Sequence, residues 1–180
     1  PVTVLEAAFM NTVSTEIDPR YMVHNVSYMG DPYTHRLLYQ SSTTTRSTDL
    51  ILFDILGKDE DRNGDFNGVD IDSMLSKRSY DKTNAANSDT LLPRAFYATQ
   101  FPKPEQLDLG KPLYDPGHGS DSNPNKPGNP GSIWHEWKYW DESSNTVNRK
   151  DIKALAFDLR TTKLNKPFIL DQQGVIVANV

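Results

Sequence analysis

Cysteine is absent from the 180-residue chain. That removes disulfide staples, a thiol nucleophile and any cysteine-ligated zinc site from consideration. Secreted eukaryotic domains of this size commonly carry disulfides, so the absence favours a bacterial source. Long apolar runs are missing too: none approaches the ~20 residues of a membrane span. No signal peptide is visible, and the chain starts at Pro1 without methionine, as expected where a leader has been removed. Basic charge is in deficit, with 19 Lys and Arg against 24 Asp and Glu and a net charge of −5. With no clustered basic patch and no RNA- or DNA-module signature, nucleic acid is not an expected partner. The apolar share is low at 36% and prolines number 12, which points to a chain rich in loops. Its length is enough for one domain, 1–180, with a buried core.

Against these absences one stretch is conspicuous: Asp59-Glu60-Asp61-Arg62-Asn63-Gly64-Asp65-Phe66-Asn67-Gly68-Val69-Asp70. Asp59, Asp61, Asn63, Asp65, Asn67 and Asp70 put side-chain oxygens at its first, third, fifth, seventh, ninth and twelfth positions. Gly64 is sixth, where a sharp turn excludes a side chain, and the apolar Phe66 is eighth. Calcium takes six to eight oxygen ligands, and a loop with this spacing can wrap around it. The cofactor expected is therefore calcium.

The spacing resembles an EF-hand loop, and more narrowly the calcium loop of dockerin modules and related bacterial surface proteins. The approach, Leu50 to Lys58, reads as a buried strand rather than a helix, and Gly57 stands where a helix would still be running. The exit reads as a helix over about Asp70–Ser79, from the spacing of Ile71, Met74 and Leu75 and from Lys77-Arg78 near its end. Asp70 replaces the usual glutamate at the last position. Dockerins carry two such loops and bind cohesin through the pair; one loop is present here, so that partner is not implied. The resemblance implies that Asp59, Asp61, Asn63 and Asp70 ligate through side chains, Asp65 through its backbone carbonyl and Asn67 through water.

Taken in order, Thr3-Val4-Leu5-Glu6 fits a capping box. Leu5, Phe9 and Val13 then predict an N-terminal amphipathic helix to about Thr15. Tyr21–Tyr28 and Thr34–Gln40 predict a hairpin across Met29-Gly30-Asp31-Pro32, on which His24 and His35 can face each other. Leu91–Phe101 is strand or short helix. Residues 115–132, almost entirely Asp, Pro, Gly, Ser and Asn, predict a long, exposed surface loop. Strands are expected at Ile152–Arg160, with a final hairpin of Lys166–Leu170 and Val175–Val180. The fold class expected is α+β or mainly β: an antiparallel sheet with an N-terminal helix, the calcium loop followed by a short helix, and the long Pro/Gly-rich loop.

Ile133-Trp134-His135-Glu136-Trp137-Lys138-Tyr139-Trp140 holds all three tryptophans. As a strand it places Trp134 and Trp140 on one face and Trp137 and Tyr139 on the other. Two readings compete for Trp134, Trp137 and Tyr139: core residues, or a flat aromatic face that stacks on sugar or peptide. Asp115-Pro116-Gly117-His118-Gly119 resembles the signature of zinc-dependent N-acetylmuramoyl-alanine amidases, in which the histidine ligates zinc together with a later glutamate and histidine. Only His118 matches by motif, and too little chain follows it for that α/β fold. No Ser-His-Asp signature, phosphate-binding glycine loop or HExxH is present, and no catalytic residue is assigned.

The function these features predict is a calcium-stabilised, secreted or cell-surface interaction module that recognises a protein or glycan. The alternatives are a structural subunit of a self-assembling, pilin-like surface filament, with residues 3–15 as the stump of a longer helix, and a metal-dependent hydrolase.

Overall fold

In a computed structural model the protein is described over residues 8–24, 31–41, 49–56, 68–75, 79–81, 92–114, 121–165 and 175–180. Among these residues nine strands run in chain order: β1 (Ala8–Thr15), β2 (Tyr33–Gln40), β3 (Ile51–Ile55), β4 (Ser73–Leu75), β5 (Ser79–Asp81), β6 (Pro93–Ala98), β7 (His135–Trp137), β8 (Ala154–Thr162) and β9 (Val175–Asn179). They form a five-stranded sheet in the order β1-β2-β9-β4-β5 and a four-stranded sheet in the order β3-β8-β6-β7. Every pairing between these strands is antiparallel.

β8 explains why the two sheets stack. All nine of its residues are buried, which requires cover on both faces because alternate side chains point opposite ways. Leu155, Phe157 and Leu159 enter a cluster that also holds Leu37 of β2, Met74 of β4, and Ile176 and Ala178 of β9. That cluster is the filling between the sheets. Ala154 and Ala156 point outward with Phe96 into a second cluster, roofed by Leu109, Ile133 and Trp134 from the connection between β6 and β7.

The expected combination of helices and sheet is overturned. Among the described residues the helical pieces are 3-10 turns such as Pro104–Gln106, Glu142–Ser144 and Arg149–Asp151. In place of the N-terminal helix, β1 pairs with β2 along its full length, from Ala8 opposite Gln40 to Thr15 opposite Tyr33. The misreading has a simple cause. Phe9 and Val13 are four apart, a spacing that lies on one face of a helix and equally on one face of a strand. The β-branched Thr12, Val13 and Thr15 favour the strand. Thr3–Glu6 lies outside the described residues.

The helix expected after the loop is also replaced by strand. Ser73, Met74 and Leu75 pair with Asn179, Ala178 and Val177 of β9 on one side and with β5 on the other. Ile71 and Met74 are buried, at 1% and 0% exposure, on extended chain that is hydrogen-bonded to β9. β2 pairs with β1, and Met22 of the expected hairpin bridges Val13 of β1; residues 25–30 of that hairpin lie outside the described residues. Residues 166–170 of the expected C-terminal hairpin lie outside the described residues.

The Pro/Gly-rich loop is ordered over 121–132. Backbone bonds from Lys126 to Asn123, Asn129 to Lys126 and Ser132 to Asn129 make three turns end to end. In the last two, Pro127-Gly128 and Pro130-Gly131 take the central positions, with φ of 91° and 86° at the glycines, as a type II turn requires. Asp121, Asn123 and Asn125 lace the turns to Lys111, Asp108 and Glu105, and Asn129 Nδ2 donates within the loop to the Asp121 and Asn123 carbonyls.

Candidate metal centre

β3 is an edge strand of one sheet and β4 belongs to the other, so the segment carrying Asp59 to Asn67 is the crossover between the layers. Asp59, Asp61, Asn63, Asp65 and Asn67 themselves lie outside the described residues. The exit of the loop, Gly68 to Asp70, is described and is seated on the segment that leads into β8.

That seat is built around Arg149. Gly68 has φ of 116°, and a β-carbon there would come within 2.7 Å of the Arg149 Cβ. Val69 is buried, and its N–H donates to the Arg149 carbonyl at 3.3 Å. The Arg149 guanidinium donates through Nη1 to Asp70 Oδ2 at 2.8 Å and through Nη2 to Glu142 Oε2 at 3.2 Å. Arg149 begins a 3-10 turn capped by Asn148, whose side chain accepts from Lys150 N–H. Its Cζ stands 6.0 Å from the Trp137 ring centroid.

Of the six expected ligand positions, Asp70 alone falls among the described residues. An all-oxygen set with a carboxylate at its exit suits calcium, and Asp70 is fixed where the crossover rejoins the sandwich. One of its oxygens is held by Arg149, which works against a two-oxygen grip on an ion. Among the described residues no three His, Asp or Glu side chains group so as to hold a metal. Sequence reasoning missed Gly68, Glu142 and Arg149; Arg149 is 79 residues from Asp70, and nothing local in its sequence announces the pairing.

Trp134 and Trp137 are 0% exposed and Tyr139 is 1% exposed. Trp134 belongs to the outer cluster, where Nε1 donates to Gln106 O at 2.8 Å. Trp137 and Tyr139 belong to the inter-sheet cluster, and the Tyr139 hydroxyl donates to the Pro93 carbonyl. Of the two readings, the core accounts for all three. What remains partly accessible nearby is the cross-strand pair Tyr97 and His135, with ring centroids 5.5 Å apart. Partial burial raises the pKa of the Tyr97 hydroxyl.

His118 lies outside the described residues. His135 and Glu136, the downstream residues of the amidase comparison, are neighbours on β7 and therefore point to opposite faces. Glu136 pairs with the buried Arg94. His24 is exposed, while His35 faces inward with Nδ1 3.7 Å from Asp54 Oδ2, across the gap between the sheets. Set beside known proteins, the chain has no significant match to a protein family, a curated protein or a solved structure.

Proposed function

We propose that the protein is a calcium-stabilised interaction module, secreted or displayed at a cell surface, whose partner is a protein or a glycan. The observation that carries the reading is the position of Asp70. The twelfth residue of an oxygen-rich loop is anchored on the β8 side of the sandwich, while the loop itself crosses from one sheet to the other. Asp59, Asp61, Asn63 and Asp70 would hold the ion through side chains, with Asp65 through its carbonyl and Asn67 through water. Bound calcium would neutralise crowded carboxylates and tie the crossover down. An extracellular setting suits a loop of modest affinity, because calcium is abundant there. For the partner, support comes from apolar side chains left in solvent: Phe9 is 54%, Met10 52% and Val23 67% exposed, on or beside the edge strand β1.

Melting of the intact chain with calcium, magnesium or chelator tests the ion. Ligand at about a hundred times its dissociation constant stabilises by ~2.7 kcal/mol, or ~5–11 °C for a domain of this size. Asp59→Ala and Asp70→Ala should lose that rise, and magnesium should give less of it, since it sheds water reluctantly. Identical curves with calcium and with chelator would remove the ion and, with it, the main ground for an external location.

A further inference from the structure

We infer that His35 and Asp54 form a proton-operated latch between the two sheets, which fastens the sandwich in mild acid and loosens it as the solution turns basic. The latch goes beyond the calcium reading and does not rest on it. Asp54 lies on the edge strand β3, and His35 lies on β2 of the opposite sheet. Because side chains alternate along a strand, Asp54 shares its face with Leu52 and Leu56, and His35 shares its face with Leu37. All three leucines belong to the inter-sheet cluster. A carboxyl group is thus set beside the apolar filling, with its side chain only 5% exposed.

Such a placement is unfavourable unless the charge is met. Asp54 Oδ2 is buried and has no hydrogen-bond partner among the described residues. His35 Nδ1 stands 3.7 Å from it, too far for a hydrogen bond but close enough for a strong attraction between opposite charges. Neutral imidazole brings no charge to a buried anion. The protonated ring brings one, with an N–H at both nitrogens. His35 is held by its main chain, which exchanges two hydrogen bonds with Val180. Its side chain is 29% exposed, so protons reach it from solvent. The other groups near the pair do not titrate with histidine. Val13 of β1 is opposite His35 and Leu155 of β8 is opposite Asp54, both apolar. The Tyr33 ring lies 5.2 Å from that of His35, and Tyr39 follows on the same face of β2. Phenols ionise near pH ~10, and a carboxyl end at Val180 would ionise near pH ~3.5. Lys153, just before β8, has its Nζ 5.8 Å from the Phe101 ring.

Urea unfolding of the whole chain from about pH 8 to about pH 5 tests the latch, with His35→Gln and Asp54→Asn alongside, all in chelator so that calcium plays no part. A proton held more tightly by the folded than by the unfolded chain adds stability that is fully present below the ordinary histidine range, about pH 6.5, and lost as pH rises above it. On acidification the native folding equilibrium should therefore gain about tenfold over either variant, the scale of one hydrogen bond to a charged group. His24, His118 and His135 are common to all three proteins, so their contributions cancel. NMR titration of the imidazole resonances follows His35 directly in the native chain, and its resonance should titrate at higher pH than that of the exposed His24. In Asp54→Asn the His35 resonance should move to lower pH, a change that lost packing alone does not produce. Variants whose stability tracks the native chain across this range overturn the latch. So does a His35 resonance that titrates with or below His24, a result that decides the matter even if a variant fails to fold.

Discussion

Trp134 and Trp137 stand three residues apart and are buried on opposite sides of the same sheet. Trp134 lies against Phe53 within the outer cluster, with centroids 5.5 Å apart, and Trp137 meets Tyr97 edge-on at 6.0 Å between the sheets. Their indole nitrogens differ in kind. Trp134 Nε1 donates to Gln106 O, whereas Trp137 Nε1 is buried with no hydrogen-bond partner among the described residues.

Replacing either tryptophan by alanine should cost about 3–5 kcal/mol in urea unfolding, since each fills a packed site. Phenylalanine separates them. Trp134→Phe loses a hydrogen bond as well as volume and strands the Gln106 carbonyl, whereas Trp137→Phe removes an N–H whose burial is itself unfavourable. Trp137→Phe should be the milder change by about 1 kcal/mol. Equal costs would mean that the Gln106 bond contributes nothing.

A second test concerns charge inside the outer face. Arg160 donates through Nε to Asp158 Oδ1 at 2.9 Å and through Nη2 to Oδ2 at 3.0 Å, and through Nη1 to Gly110 O at 2.6 Å. Asp158 and Arg160 are both buried, at 2% and 9% exposure. Asp158→Ala leaves the guanidinium without its anion and should cost about 3–5 kcal/mol. Asp158→Leu with Arg160→Met should recover much of that loss. A double variant as unstable as the single one would show that the pair is needed for more than mutual neutralisation.

Glycines offer a third comparison. Gly68→Ala brings a methyl group within 2.7 Å of Arg149 Cβ and 3.0 Å of its carbonyl carbon, at a φ of 116°. At Gly128, with φ of 91°, the new methyl group would meet nothing within 4 Å. Gly128→Ala should therefore cost only backbone strain, about 1 kcal/mol, and Gly68→Ala distinctly more, about 2–3 kcal/mol. Denaturant midpoints decide this, and equal midpoints would deny that residues 68–70 are tightly seated on Arg149.

These residues also mark how far the sequence can be read. The apolar run at 50–56 and the strand-rich stretch after Ile152 point to β3 and β8, because β8 is buried on both faces and β3, paired beside it, buries Leu52 and half-buries Ile51 and Phe53. Phe9 and Val13 mislead because a four-residue step satisfies both periodicities, and Met74 because its partner β9 lies about a hundred residues onward, beyond any local pattern. Asp70 stands out through spacing alone. Arg149 cannot, since an ion pair between distant segments leaves no periodic trace. The proline-rich loop is recognisable by composition, but its ordering rests on side-chain amides of Asn123, Asn125 and Asn129 finding specific carbonyls and carboxylates, which composition does not specify.

Asp121 provides a test of that ordering through pH. Its carboxyl lies below the ordinary range, chiefly because Lys111 N–H donates to Oδ2 and then because Asn123 N–H donates to Oδ1. A carboxyl lowered by folding adds stability that is fully present above its unfolded pKa of about 3.9 and lost as pH falls through the folded value. Asp121→Asn keeps one carbonyl acceptor and turns an amide N–H₂ toward the other donor, so the variant should be less stable at neutral pH. The gap between the two proteins should hold constant from neutrality down to the upper edge of the carboxylate range. Below that it should close, as the native carboxylate takes up its proton and loses the same advantage. Urea unfolding of both proteins from about pH 7 down to about pH 2 measures it, a span that brackets the carboxylate range. A gap that stays constant through the acid range would mean that the donors at Lys111 and Asn123 do not distinguish a carboxylate from an amide, and the turns would then owe their order to the prolines instead.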